Sequence, residues 1–272
     1  MFSKTVVAAF VLTVIALAVY PVSEVEAQEY VTRDLIGYWT MDKSNIDGHI
    51  VKDVSGKNNH GEIIGNPQTA RGIIGEALDF DGVDDFIALP DLGHESEVTV
   101  EVWARGDQAF RVNGLVSSSV IPEQMPGSIV TFSVRFNRID LNLKDGDAYI
   151  SYQGGTVKPY TWYHLAYTSN LIEPGEERLA VYINGRERDR GIHGVREFPV
   201  VETPPINLTR LRIGSELKGR YFPGILDEVR IYNRALTQEE IQQNFEYKNN
   251  ALAIDAAGKL AVTWGAMKNS QN

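Results

Sequence analysis

The chain of 272 residues has 26 basic and 36 acidic side chains, a formal net charge of −10, and no cysteine. Its composition, 43% hydrophobic, 10% aromatic and 23% charged, is ordinary for a globular protein and excludes a collagen, a coiled coil or a disordered chain. Without cysteine there is no disulfide framework, thiolate metal site or cysteine nucleophile. The acidic balance argues against nucleic acid or an anionic membrane surface as a partner.

Residues 1–27 have the pattern of a secretory signal peptide. Lys4 precedes an uncharged apolar run, and Val25-Glu26-Ala27 offers a cleavage site. The alternative is a retained anchor helix, but the run of about 15 residues is short for a span of roughly 20. We therefore expect cleavage near Ala27 and export to a bacterial envelope or exterior. No later segment is apolar enough over that length to predict a membrane span.

Apolar and polar residues alternate with period two along most of the remaining chain, which predicts many short strands. The residues predicted to face inward include Val98, Val100, Val102, Val130, Phe132, Val134 and Phe136. The steps Asp145-Gly146-Asp147 and Asn184-Gly185 are typical of hairpin turns. Short strands separated by such turns indicate a sandwich or barrel rather than βαβ units.

One helix is predicted after the last strand. Thr237 and Glu240 have the spacing of a capping box, and Ile241 and Phe245 form an apolar i, i+4 pair. A helix this short needs the body of the protein to stabilise it. Residues 249–272 are interpreted as a C-terminal tail, although GKLAVTWG within them is compatible with one more strand.

Five sequence blocks in order resemble a known family. They are LIGYWTMD at 35–42, DVSGKNNHGEIIG at 53–65, GEALDFDGVDDFIALP at 75–90, TWYHLAYT with ERLAVYINGRE at 161–187, and LRIGSELKGRYFPGILDEVRIYNRALTQEEI at 211–241. Together they resemble the LamG-like jellyroll domain of the concanavalin A-like lectin/glucanase superfamily. The resemblance implies an all-β fold, a two-sheet antiparallel jellyroll sandwich with a short C-terminal helix, over a domain at 28–248. Members of the family bind carbohydrates, proteins or lipids, so the fold does not settle the function.

A calcium site is predicted around Asp227. Period two places Asp227 on the same face as Ile225, Val229 and Ile231, where a carboxylate is costly unless it is paired or bound to a metal. The resemblance implies that this aspartate helps to bind a structural calcium together with backbone carbonyls near the first strand. Asp53 and Asn58 are predicted to supply further oxygen ligands, since calcium takes six to eight. The alternative is that Asp53 forms an Asx turn with Ser55, Asn58 or Asn59 holds a left-handed bend, and Asp227 accepts backbone N–H groups.

A second acidic segment contains Asp79, Asp81, Asp84 and Asp85. It lacks the glycine and distal glutamate of an EF-hand loop, and Asp81-Gly82 favours a turn between two strands.

No catalytic pattern is found. The resemblance to the glucanase branch would imply a Glu-x-Asp-x-x-Glu pattern, which the sequence lacks. Glu97 and Glu101 are interpreted as solvent-facing residues of an ordinary strand, and His164 as a structural residue. No H-E-x-x-H or G-x-S-x-G motif is present.

The ligand-binding residues cannot be assigned from the pattern. Aromatic side chains outside the core are natural platforms for sugar rings. The candidates are Tyr149, Tyr152, Tyr160, Trp162 and Tyr221. The leading hypothesis is an exported, non-catalytic module that binds a carbohydrate or an extracellular protein. The alternatives are a glycan-cleaving enzyme and a structural or adhesive surface protein.

Overall fold

The structure, a computed structural model, describes residues 29–107, 112–118, 128–145, 148–172, 179–188, 191–196, 205–216, 219–249 and 251. The predicted signal peptide lies outside the described residues. So does the predicted tail apart from residues 249 and 251.

The described chain is built almost entirely of strands. In the first half they are β1 (Leu35–Trp39), β2 (Ile46–Asp47), β3 (Ile50–Val51), β4 (Gly61–Ile64), β5 (Gln68–Arg71), β6 (Glu76–Asp81), β7 (Phe86–Ala88), β8 (His94–Glu95), β9 (Glu97–Gly106), β10 (Val112–Ser118) and β11 (Ile129–Arg135). In the second half they are β12 (Arg138–Asp145), β13 (Ala148–Thr156), β14 (Tyr163–Asn170), β15 (Leu179–Ile183), β16 (Arg186–Glu187), β17 (Gly191–Arg196), β18 (Ile206–Asn207), β19 (Leu211–Ile213), β20 (Ser215–Glu216), β21 (Arg220–Tyr221) and β22 (Pro223–Tyr232). A 3₁₀ turn occupies Lys43–Asn45, and helix α1 covers residues 238–249.

Two antiparallel sheets form the sandwich. The eight-stranded sheet has the order β16-β15-β14-β9-β22-β6-β5, with β1 also paired to β22. The ten-stranded sheet has the order β17-β13-β12-β11-β10-β19-β7-β4-β3-β2. Consecutive hairpins alternate with pairs that are distant in sequence, such as β22 with β9 and β10 with β19, as in a jellyroll, and the predicted all-β two-sheet sandwich is confirmed.

The core lies between the sheets. Val98, Val100 and Val102 of β9 are fully buried there, and Phe132 and Val134 of β11 meet them from the other sheet. The prediction for Phe136 is wrong: this residue is 67% exposed, because strand β11 ends at Arg135. Phe136 and Asn137 form the turn to β12, both with positive φ.

Both predicted hairpins are present. Asp145 pairs with Ala148 across a two-residue turn, and the two turn residues are not among the described residues. Ile183 pairs with Arg186 across Asn184-Gly185, with φ of 53° and 74°. Positive φ at both central positions is typical of a type I′ turn, which explains the Asn-Gly pair.

Helix α1 begins as predicted. The backbone N–H of Thr237 donates to Glu240 Oε2 (3.0 Å), and the N–H of Glu240 donates to Thr237 Oγ1 (3.3 Å), which is a reciprocal capping box. The helix packs on the outer face of the eight-stranded sheet through Ile241, in a second apolar cluster with Val31 of the N-terminal segment (residues 29–34) and Leu35 of β1. Among the described residues no helix is long and apolar enough to cross a membrane.

Candidate functional site

Asp227 is fully buried, as the sequence predicts, but it lies on the other side of the sheet. In the register of β22 with β9, Asp227 faces Trp103 and Arg230 faces Glu101, so two residues of β22 stand opposite one of β9. This is a β-bulge, and Glu228 within it has φ of 53°. The bulge reverses the alternation. Val229 and Ile231 therefore point into the core, whereas Asp227 points outward with Ile225.

The Asp227 carboxylate anchors the hairpin between β5 and β6. Its Oδ2 accepts hydrogen bonds from the backbone N–H groups of Ile73 (2.8 Å) and Ile74 (3.3 Å). Its Oδ1 is buried and has no hydrogen-bond partner among the described residues. Burial, followed by the nearby Glu228 carboxylate, raises the pKa of Asp227 well above its usual range. A cation would reverse this effect, because it would stabilise the ionised form.

Several oxygen atoms converge beside Asp227. A side chain at Gly72 would meet Asp227 Oδ2 and would come within 2.8 Å of the backbone oxygens of Ile74 and Glu76. Asp42 reaches the same hairpin, since its Oδ1 accepts the N–H of Glu76 (2.8 Å). Two carboxylates, backbone carbonyls and an unpartnered oxygen are hard ligands of the kind that calcium takes.

Asp53 and Asn58, the other predicted ligands, lie in the loop after β3. Asp53 Oδ1 accepts the N–H groups of Tyr38 (2.9 Å) and Ser55 (2.8 Å). Its Oδ2 accepts Ser55 Oγ and the N–H of Asn59, both at 2.9 Å. Asn58 is exposed with φ of 61°. These are the contacts of the Asx-turn alternative, and no described contact joins Asp53 or Asn58 to Asp227. An ion at Asp53 would have to displace these donors.

The second acidic segment turns between β6 and β7. Asp81 Oδ1 accepts the N–H of Val83 (2.7 Å) and Asp84 (3.3 Å), and Gly82 has φ of 76°. Asp85 is buried and accepts the N–H groups of Asn66 and Asp81. Carboxylate oxygens of Asp81, Asp84 and Asp85 lie within 4.8 Å of one another.

A cleft of about 320 Å³ opens at this end of the sandwich. Its lining residues are Asn66, Gln68, Asp79, Phe80, Asp81, Asp85, Asp107, Pro223 and Gly224. Burial raises the pKa of Asp79, and the Asp107 carboxylate adds to the effect. The walls therefore offer carboxylate and amide groups that accept hydrogen bonds from hydroxyls and attract cationic groups.

Tyr160 lies beside this cleft. Its side chain is 65% exposed, and its N–H donates to the carbonyl of Gly106, the residue before Asp107 (2.6 Å). Its φ of 59° is unusual for a bulky residue, and Tyr160 is not itself among the residues that line the cleft. Of the other aromatic candidates, Tyr152 belongs to the core, whereas Trp162 and Tyr221 are half-buried. The structure does not describe the side chain of Tyr149.

The outer face of the eight-stranded sheet carries a buried polar cluster that sequence reasoning missed. Glu101 was expected to face solvent but is 0% exposed, because α1 covers it and Asn244 Nδ2 donates to its Oε2 (2.6 Å). His164 is also fully buried, beside Glu101. The capped helix is a sequence signal for this cluster. A helix this short must pack on the rest of the protein to be stable, so it covers one sheet face and buries the polar residues of β9 on that face.

Arg230 and Glu228 form a second part of this cluster. Arg230 Nη2 donates to Glu228 Oε2 (2.6 Å) and to Tyr38 Oη (2.7 Å), and Tyr38 Oη also hydrogen-bonds Glu228. The guanidinium lies over the rings of Tyr38 (4.1 Å) and Tyr30 (5.0 Å). Burial raises the pKa of Glu228, and Arg230 opposes that rise. The pairing makes a buried charge tolerable at the junction of β1 and β22.

Solved structures share this fold at low sequence identity. Domain 4 of AbnA, a GH43 extracellular arabinanase from Geobacillus stearothermophilus solved in complex with arabinotriose, has a TM-score of 0.59 and 22% identity, covering 78% of this chain and 98% of that chain. The binding domain of Paraclostridial Mosquitocidal Protein 1 has a TM-score of 0.60 and 17% identity, covering 79% and 52%. A mutant of Trypanosoma rangeli sialidase displaying trans-sialidase activity has a TM-score of 0.59 and 19% identity, covering 81% and 34%. The chain thus spans only part of the toxin and sialidase structures, and the likeness shows the fold alone.

No curated protein matches the chain. The family comparison is more specific. Residues 81–242, more than half of the chain, match the family model of the concanavalin A-like lectin/glucanases superfamily, and the chain belongs to that superfamily.

Proposed function

We propose that the protein is an exported, non-catalytic module that binds carbohydrate in the cleft beside Tyr160. The observation that carries this proposal is a 320 Å³ cleft with polar walls, beside which the exposed Tyr160 is bonded through its backbone N–H to Gly106, the neighbour of the lining residue Asp107. Sugar rings stack on aromatic faces, and their hydroxyls donate to carboxylates and amides. The arabinanase domain solved with arabinotriose, 98% of which is covered by this chain, adds support.

The charge of the cleft narrows the class of sugar. Four aspartates line it, and no lysine or arginine is among the lining residues. A carboxylated or sulfated polysaccharide would meet like charge there, which disfavours binding. Neutral oligosaccharides, or sugars with an amino group, fit the walls.

A glycan array with the protein from residue 28 onward tests the proposal, first with calcium and then with a chelator. Calorimetry on the strongest neutral ligand then compares Tyr160→Ala and Asp107→Asn with Ile172→Ala. Ile172 is equally exposed but follows the other end of β14, so it serves as the matched control. We expect Tyr160→Ala to weaken binding about tenfold, as for loss of one stacked ring. Binding to no glycan, or binding untouched by Tyr160→Ala, would contradict the proposal.

The same glycans distinguish binding from cleavage. A module leaves a polysaccharide intact over hours, whereas an enzyme of the glucanase branch releases new reducing ends. N-terminal sequencing of protein recovered outside the cells tests removal of residues 1–27.

We also propose a structural calcium at Asp227. Asp227, Asp42 and the carbonyls of Ile74 and Glu76 are the residues that would hold it, and its charge would stabilise the buried carboxylate. The ion would fix the β5–β6 hairpin to β22. Asp53 and Asn58 remain predicted ligands, although Asp53 is saturated by protein donors.

A further inference from the structure

Two titratable side chains face each other beneath α1. Glu101 on β9 and His164 on β14 are both 0% exposed, and Glu101 Oε1 lies 3.7 Å from His164 Nε2. Glu101 Oε1 and both ring nitrogens of His164 have no hydrogen-bond partner among the described residues. The contact is too long for a direct hydrogen bond. A proton held by either group would nevertheless give the pair a donor facing an acceptor.

One amide connects this pair to the cover above it. Asn244 of α1 is buried, and its Nδ2 donates to Glu101 Oε2 (2.6 Å) and to Tyr232 Oη (3.0 Å). Its Oδ1 accepts the N–H of Val31 in the N-terminal segment (2.8 Å). Tyr232 Oη in turn donates to the carbonyl of Val31 (3.0 Å). Glu101 therefore lies at the point where α1, the N-terminal segment and the sheet meet.

The charged groups around the pair do not cancel the effect of burial. Burial raises the pKa of Glu101 to about 8, although Arg230 on β22 and the Asn244 hydrogen bond lower it; Glu240 on α1 raises it further. Burial also lowers the pKa of His164 to about 3, and Arg230 and Lys248 act in the same direction. Between these values both side chains are uncharged, so the 3.7 Å contact is not an ion pair at neutral pH.

We propose that α1 and residues 29–34 close over the sheet with uptake of one proton, held between Glu101 and His164, so that the cover loosens in alkaline solution. The cover is what removes Glu101 from water. When it lifts, the carboxylate is solvated and ionises at its ordinary value near 4.5. Above the ordinary value of His164, 6.5, the open state holds no proton on the pair, whereas the closed state holds one. Closing therefore weakens as the pH rises from 6.5 to 8.

The absence of cysteine allows a direct test by thiol labelling. Ala166 on β14 is 0% exposed and belongs to the apolar cluster beneath α1, so Ala166→Cys reports opening of the cover. Ala104→Cys, in the core between the sheets, reports unfolding of the whole sandwich. Each labelling rate is divided by the rate of the same cysteine in denatured protein at the same pH, which removes the intrinsic thiolate effect.

We expect the corrected labelling of Ala166→Cys to rise about tenfold between pH 6.5 and 8, following the one-proton linkage. Labelling of Ala104→Cys stays slow over this range. Glu101→Gln in the Ala166→Cys chain removes the rise, because glutamine does not ionise. If that variant does not fold, the pH dependence of the Ala166→Cys chain still tests the proposal. A corrected labelling rate that stays flat from pH 6.5 to 8 overturns it. Labelling of Ala104→Cys as fast as that of Ala166→Cys, or an unchanged rise in Glu101→Gln, overturns it too.

Discussion

At the scale of single residues, the unpartnered Oδ1 of Asp227 is the main support for the proposed calcium, because a buried carboxylate oxygen without a donor is costly. We expect saturating calcium to raise the melting temperature by roughly 5 °C or more, as a ligand at about 100 times its Kd does for a domain of this size. Asp227→Asn should abolish that rise, since it removes the charge while keeping the shape. Thermal unfolding with calcium and with chelator measures both.

Asp53→Asn completes the same experiment. If Asp53 is a ligand of that ion, its variant also loses the calcium response. A loss only in Asp227→Asn would leave Asp53 as the residue that holds the turn through Tyr38 and Ser55. An unchanged response in Asp227→Asn would contradict the calcium proposal at this position.

The behaviour of individual residues is only partly readable from the sequence. Burial of Asp227 could be predicted from its apolar neighbours, but the bulge at Glu228 could not, and it moves Asp227 to the outer face. In the sequence of β9, Glu101 alternates with valines, which is the pattern of a solvent-facing residue. Only the docking of α1, through Asn244, makes it a buried acid, and that contact joins residues 143 positions apart.

At the scale of elements, the capping box of α1 should be worth about 1 kcal/mol of protein stability. Thr237→Ala removes the acceptor of the Glu240 N–H and should lower the free energy of unfolding by that amount. Glu239→Ala, an exposed neighbour in the same turn, is the control and should change it by less than about 0.5 kcal/mol. Urea unfolding measures both. Equal losses in the two variants would show that the box contributes nothing specific.

Elements with a local signal were the predictable ones. The Asn184-Gly185 hairpin and the Thr237 cap depend on residues within four positions, and both are present. Residues 191–196 form edge strand β17 beside β13, although no turn or cap signal in the sequence marks it. Its pairing depends on a partner about 40 residues earlier, which composition within the segment does not reveal.

At the scale of the whole molecule, the jellyroll follows from alternation repeated over many strands, but the cleft does not. Its walls come from four parts of the chain, near Asn66, Phe80, Asp107 and Pro223, which only the finished sandwich brings together. Tyr160 lies in the connection between β13 and β14, and its backbone N–H bonds the carbonyl of Gly106, next to the lining residue Asp107. A site made by the ends of distant strands leaves no spacing in the sequence.

The Glu101–His164 pair also shapes the pH dependence of overall stability. Glu101 has a raised pKa in the folded state, so its contribution is full below 4.5 and is lost as the pH rises to about 8. His164 has a lowered pKa, so its contribution is full above 6.5 and is lost as the pH falls to about 3. Between 4.5 and 6.5 the unfolded chain carries one proton on the histidine and the folded chain one on the pair. Because the two states then bind the same number of protons on these side chains, the contribution of the pair to the free energy of unfolding does not change with pH in this range.

We therefore expect the contribution of the pair to be flat between pH 4.5 and 6.5 and to fall by about 1.4 kcal/mol from 6.5 to 8, which corresponds to the tenfold change expected for closing of the cover. Urea unfolding at half-unit steps of pH measures the free energy of unfolding of the wild type and of Glu101→Gln, and the second value is subtracted from the first. That difference isolates the glutamate and should decline steadily from pH 4.5 to 8, while the variant keeps the acid slope of His164. Glu97→Gln, at the start of the same strand, is the control for removal of a carboxylate from β9. A difference that does not change with pH would mean that Glu101 has the same proton affinity in the folded and unfolded chains.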